Sequence, residues 1–220
     1  VSDLQKSTFA KTVPASMTVE ELEDKERFRL VLTIRHDAIS DFLVDILASR
    51  KTVAVVFWSI CIISLSLPVI VLINIGGYFS FGKILLHILL GLVAIPVALI
   101  PVHELLHIIP FVAAGARKIR AGFEARQYIF YATAHRYVTS RFLFCIVALA
   151  PFITVTGALL YLTLALPGIW KVSMSVAMFV HVNMCAGDFA LMSIMTSNLK
   201  KRAYTWDDAE LKEAYFYEEI

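Results

Sequence analysis

Four long apolar runs, at residues 53–73, 84–114, 142–166 and 172–195, constrain this chain more than any other feature of its sequence. Each can cross about 30 Å of hydrocarbon as a helix rising about 1.5 Å per residue. A backbone in lipid must satisfy its own polar groups, which favours helices of this length over open strands. The expected fold is therefore an all-α polytopic membrane protein with four transmembrane helices and a small cytoplasmic β-hairpin or sheet between spans two and three. With 59% of 220 residues hydrophobic and 17% charged, an ordinary soluble domain is a poor alternative. A net charge of +2, with no basic tract interleaved with aromatics, argues against a nucleic-acid partner. Partners are to be sought in or beside the lipid bilayer.

Basic residues orient the spans. The connection at 115–141 holds Arg117, Lys118, Arg120, Arg126, Arg136 and Arg141, whereas the connections near 76–83 and 167–171 hold one lysine each. Both termini and the long loop are expected to be cytoplasmic, in agreement with Arg50 and Lys51 before the first span and Lys200, Lys201 and Arg202 after the last. Three regions result: a cytoplasmic N-terminal segment at 1–52, a transmembrane domain at 53–195, and a cytoplasmic tail at 196–220. The first 52 residues carry 17 charges and no signal-peptide core, so the first run is expected to act as an uncleaved anchor. Cys61, Cys145 and Cys185 are odd in number and lie within apolar runs, which makes a disulfide framework or a thiolate cluster a poor expectation.

The cytoplasmic parts carry local structure signals. Thr18 and Glu21 form a capping-box pattern, Phe28, Leu30, Leu32 and Ile34 alternate as in a strand, and Ile39, Phe42, Leu43, Ile46 and Leu47 share a helical face suited to the membrane surface. In the long loop Ile119, Ala121, Phe123 and Ala125 alternate with polar or small residues, and a second aromatic and β-branched run covers 128–138. This predicts a β-hairpin, with a disordered basic loop as the alternative. The tail from Tyr204 is expected either to pack on the hairpin or to be solvated.

Between residues 53 and 195 the only carboxylates are Glu104, Glu124 and Asp188, and Glu124 falls in the loop. Buried ionisable groups in a bilayer cost several kcal/mol unless paired, so Glu104 and Asp188 need explaining together. Glu104 lies in His103-Glu104-Leu105-Leu106-His107, the H-E-x-x-H pattern. On a helix His103 and His107 share a face and can bind one zinc ion, with Glu104 placed as general base. The alternative is a pair of polar residues hydrogen-bonding between spans. A catalytic zinc needs a third protein ligand and an open position. His103 lies 19 residues into the second run, counted from Ile84, and Asp188 lies 16 into the fourth, counted from Val172. Those depths are about 28 Å and about 24 Å from the same face, so Asp188 is the expected third ligand. His181, two turns away on a similar face, is the alternative, and His87 reads as an interhelical hydrogen-bonding residue. Pro96, Pro101 and Pro110 predict a kinked or interrupted helix around the motif.

At these residues the chain resembles the intramembrane zinc metalloproteases of the site-2 protease class, and more closely a bacterial family of membrane zincin peptidases. The resemblance rests on HELLH at 103–107, GARKIRAGFEA after it, Ala150-Pro151 in the next span, HVNMCAGDFALM at 181–192 and YTWDDAELKEAYFYE in the tail. It runs from about Met17 to the C-terminus. Site-2 proteases carry an Asn-Pro…Leu-Asp-Gly segment; here Asn183 and Gly187-Asp188 stand closer together, without the proline and with Gly before Asp. The resemblance implies a bacterial cell membrane, a Zn2+ cofactor held by His103, His107 and Asp188, and Glu104 as the catalytic base. The expected activity is hydrolysis of membrane-associated or transmembrane polypeptides near the cytoplasmic face. Asn183 is a candidate for binding the substrate backbone, and the hairpin offers an edge to an extended substrate. A non-catalytic scaffold with a structural metal site and a metal-ion carrier are the alternatives; a fourth ligand from His181 would favour the scaffold.

Overall fold

The computed structural model describes residues 17–35, 38–49, 52–124, 129–199 and 202–220. Residues 1–16 lie outside the described residues, as do Arg50, Lys51, Ala125, Arg126, Tyr128, Lys200 and Lys201. Four helical stretches are long and apolar enough to cross a membrane: Thr52–Tyr78, Phe81–Ala113, Arg141–Ala165 and Trp170–Thr196. Their ends fall within five residues of those of the four apolar runs, and the fourth is the most buried of them.

The first stretch is mainly helix α3 (Thr52–Ile75) and the third is α6 (Arg141–Ala165), whose N-terminus is capped by the Ser140 side chain. The second is interrupted, as its prolines predict, but not at the motif. Helix α4 (Phe81–Leu89) passes through a wide π turn at Leu90–Ala94 into α5 (Ile95–Ala113). Pro96 has no N–H for a regular ladder, and the π turn immediately before it re-pairs the backbone. Residues 103–107 then lie in regular helix. Gly115, at φ +99, ends α5 with the amides of Gly115 and Ala116 bonded to the carbonyls of Val112 and Phe111, a left-handed stop that favours glycine. The fourth stretch is also divided. Helix α7 (Trp170–Met184) gives way at Cys185 to α8 (Ala186–Ser193), followed by a second π turn at Ile194–Asn198. This break falls between His181 and Asp188, so the single regular helix used to compare their faces does not exist.

The parts outside the four long helical stretches are more ordered than the alternation alone implies. Thr18 and Glu21 form the capping box of α1 (Val19–Leu22), and β1 (Phe28–Arg35) follows. The tail folds into β5 (Ala203–Asp208) and β6 (Glu213–Glu219), which join β1 and the short β4 (Thr139–Ser140) in an antiparallel sheet of order β1-β6-β5-β4. The tail thus forms the middle of a sheet. A register shift between Leu30 and Leu32 breaks the predicted alternation, leaving Leu30 exposed while Phe28 and Ile34 are buried. The expected hairpin is present as β2 (Ile119–Glu124) paired with β3 (Ile129–Ala134). Helix α2 (Ile39–Ala48) directs Ile46, with Phe42 and Leu47, onto a cluster containing Ile34, Ala190, Ile194 and Phe216, so these three residues of the predicted face meet protein; the side chains of Ile39 and Leu43 lie outside the description.

Candidate metal centre

Regular helix at 103–107 puts the two motif histidines on one face of α5, with their Nε2 atoms 3.2 Å apart. The first turn of α8 brings Asp188 to them: Oδ2 lies 3.4 Å from His103 Nε2, and Oδ1 lies 3.2 Å from His107 Nε2. Both histidines are buried and Asp188 is nearly so. Two elements of sequence produce this convergence: the i, i+4 spacing of the histidines, and the break at Cys185 that starts a new helix before Asp188.

The donor set can be tested against zinc. A tetrahedral ion with bonds of about 2.0–2.1 Å holds neighbouring ligand atoms about 3.3–3.4 Å apart; the two Nε2 atoms are 3.2 Å apart, and Asp188 turns one oxygen to each ring, at 3.4 Å and 3.2 Å. Asp188 Oδ2 is buried without a hydrogen-bond partner among the described residues, a costly arrangement for a carboxylate that a cation would relieve. Two nitrogens and one carboxylate leave a fourth position free, as catalytic zinc sites require. The residues fit the ion. Glu104 is half-buried beside His103, and among the described residues its carboxylate takes part in no hydrogen bond or ion pair.

The far nitrogens of both imidazoles are also occupied. His107 Nδ1 lies 2.9 Å from the Val147 carbonyl on α6. That carbonyl is available because its regular helical donor would be the N–H of residue 151, and residue 151 is proline. His103 Nδ1 lies 3.2 Å from His181 Nε2, and His181 Nδ1 lies 3.1 Å from Thr156 Oγ1. His181 is fully buried and meets His103 at the nitrogen opposite the one facing His107 and Asp188. His103, His181 and Cys185 also offer ligand atoms within 4.8 Å of one another, with Cys185 Sγ 4.0 Å from His181 Nε2. Asn183, expected near the substrate, donates its amide to the Phe179 carbonyl of its own helix at 2.8 Å. His87 bonds Ser173 Oγ at 2.8 Å, consistent with an interhelical role.

Val147, Pro151 and Thr156 were not singled out by sequence reasoning as parts of this site. A proline four residues after a position signals a free carbonyl, so Val147 was findable in principle. Threonine in an apolar helix is too common to have marked Thr156.

These residues define a buried two-histidine, one-carboxylate centre carried on helices of membrane-crossing length. Over residues 96–204 the chain is similar to the family described as "Putative zincin peptidase", a match that covers HELLH, the hairpin, α6 to α8 and Asp188, and that points to a zinc metallopeptidase. Neither a curated protein nor a solved structure matches the chain.

Proposed function

We propose that this protein is a membrane-embedded zinc metalloendopeptidase of the HExxH type, similar in motif to site-2 proteases, that cleaves membrane-associated or transmembrane polypeptides near the cytoplasmic face of a bacterial cell membrane. The observation that carries this reading is the convergence of His103, His107 and Asp188 within 3.2–3.4 Å, with an unpaired carboxylate at Glu104 next in sequence. His103, His107 and Asp188 hold the ion. Zinc, when bound, acts as a Lewis acid and lowers the pKa of water toward about 7. Glu104 accepts a proton from the attacking water as its oxygen adds to the scissile carbonyl carbon. Glu104 then delivers that proton to the amide nitrogen as the C–N bond breaks, so the products are a carboxylate and an amine.

The site's position fits an extended substrate. His107 precedes the end of α5 at Ala113, from which the chain runs into β2. A helical substrate hides its peptide bonds, and the β2–β3 hairpin supplies strand edges to which an unwound segment can add. Arg117, Lys118 and Arg120 on this side support a cytoplasmic location. The scaffold alternative calls for a fourth ligand closing the site, and His181 instead faces His103 from behind.

The test is purification in detergent with zinc quantification, together with co-expression of a candidate membrane substrate. Wild type and Glu104→Gln are expected to hold near-stoichiometric zinc, with cleavage by wild type only. Wild-type protein that binds no zinc would sink the proposal.

A further inference from the structure

A metal-binding imidazole has two nitrogens, and the partner of the second sets its tautomer and ring orientation. At His107 that partner is a backbone carbonyl. At His103 it is another buried histidine with a threonine behind it, an arrangement that links α5, α7 and α6. We infer that His181 and Thr156 are positioning residues that hold His103 for the metal, and that His181 is not a ligand.

The tautomers can be assigned from connectivity alone. If Nε2 of His103 presents its lone pair toward His107 and Asp188, the ring proton is on Nδ1 and is donated to His181 Nε2. His181 then carries its own proton on Nδ1 and donates it to Thr156 Oγ1. Every nitrogen in the chain is used once, and neither histidine needs a charge. Ligation by His181 would need either Nδ1, which faces Thr156 Oγ1 at 3.1 Å, or the same Nε2 lone pair. In the structure that atom lies 3.2 Å from His103 Nδ1, on the side of the ring away from Asp188. Complete burial of His181 makes the hydrogen bond consequential, because removing one partner leaves the other unsatisfied away from water. Three helices are thereby tied to the orientation of one ring.

This inference rests on the assignment of His103, His107 and Asp188 as zinc ligands, and the experiment separates the two. In the full chain purified in detergent, zinc X-ray absorption should count two imidazoles in the wild type. Chelator competition should show zinc affinity reduced about 10–100-fold in His181→Ala, and reduced in the same direction but less in Thr156→Val. His181→Gln, whose amide oxygen can accept from His103 Nδ1–H, should recover much of the loss, which a purely space-filling role would not predict. Three imidazoles on the wild-type ion would overturn the inference by making His181 a ligand. Unchanged affinity in Thr156→Val and His181→Ala would overturn it while leaving the zinc site standing. Absence of zinc from wild type would remove the ligand assignment itself, and this inference with it. The wild-type imidazole count and Thr156→Val keep the test decisive if His181→Ala fails to fold.

Discussion

Asp188 places a carboxylate among helices of membrane-crossing length with Oδ2 buried and without a hydrogen bond among the described residues. Such a group is tolerable when a cation offsets its desolvation, so charge and shape can be separated experimentally. Asp188→Asn keeps the shape and removes the charge. Its zinc affinity should fall by more than the about 10–100-fold attributed to losing an outer partner, while its folded yield without metal stays equal or improves. Chelator competition and thermal unfolding with and without zinc would check both. Wild-type zinc affinity in this variant would move the third ligand elsewhere. Outside the apolar stretches a carboxylate has other work. Asp208 is buried, which raises its pKa, but the Leu211 and Glu210 amides at 3.0 and 2.9 Å, with His135 and Arg136 nearby, hold it below the usual range overall. Because its folded pKa is depressed, its stabilisation is complete above the unfolded value of about 4 and is lost as pH falls through the folded value. Asp208→Ala should cost about 1–3 kcal/mol near neutrality and flatten that acid limb in a pH series of unfolding midpoints. At this scale HELLH was legible because it is a local pattern, and Asp188 because acidic residues are so scarce in the runs. The facing nitrogens of His103 and His181 were not legible, since ring orientation depends on three helices meeting.

Prolines and glycines set where the helices bend and touch. Pro151 leaves the Val147 carbonyl without its helical donor, and His107 takes that place at 2.9 Å. Pro151→Ala would return an N–H to the ladder and make it compete with the histidine for one oxygen. Zinc affinity should therefore fall by up to about ten-fold even though alanine is the better helix former; unchanged affinity would show that Val147 does not help hold the ring. Gly91 acts by contact. A Cβ there would lie 2.6 Å from the Ser173 carbonyl and 2.7 Å from Val176 Cβ, so the π turn and α7 approach closer than any side chain permits. Gly91→Ala should destabilise the fold by about 1–3 kcal/mol, read as a lower unfolding temperature in detergent. The effect should reach the metal centre, because α7 carries His181. The four long helices were readable from run length alone. Their interior breaks were not: the prolines predict an interruption near His103, but the chain accommodates Pro96 by a π turn at Leu90–Ala94, and nothing in the local sequence marks Cys185 as a junction.

Across the whole molecule, segments remote in sequence meet in one sheet. β1 precedes the first long helix, β4 follows the second, and β5 and β6 follow the fourth, yet they are hydrogen-bonded neighbours. If the helices cross a bilayer, this pairing requires an even number of crossings between β1 and β4 and again between β4 and β5. The sequence showed the alternating strand at 28–35 but not its partners, because pairing between segments nearly two hundred residues apart leaves no periodic trace in either one. The pairing has a consequence for topology that labelling can read. In a background with Cys61, Cys145 and Cys185 replaced by serine or alanine, single cysteines at the exposed positions Lys25, Arg117 and Leu211 should share one accessibility, and Tyr78 and Pro167 the other. With the cytoplasmic orientation proposed from the basic loop, a membrane-impermeant thiol reagent should label Tyr78→Cys and Pro167→Cys in intact cells. It should reach Lys25→Cys, Arg117→Cys and Leu211→Cys only after permeabilisation. The reversed pattern would keep four crossings and the sheet but place the proposed protease site toward the other face. Lys25→Cys and Leu211→Cys on opposite faces would be incompatible with β1 beside β6. Uniform labelling of all five in intact cells would contradict membrane crossing itself, and with it the need for an unwound strand to reach a site enclosed by lipid.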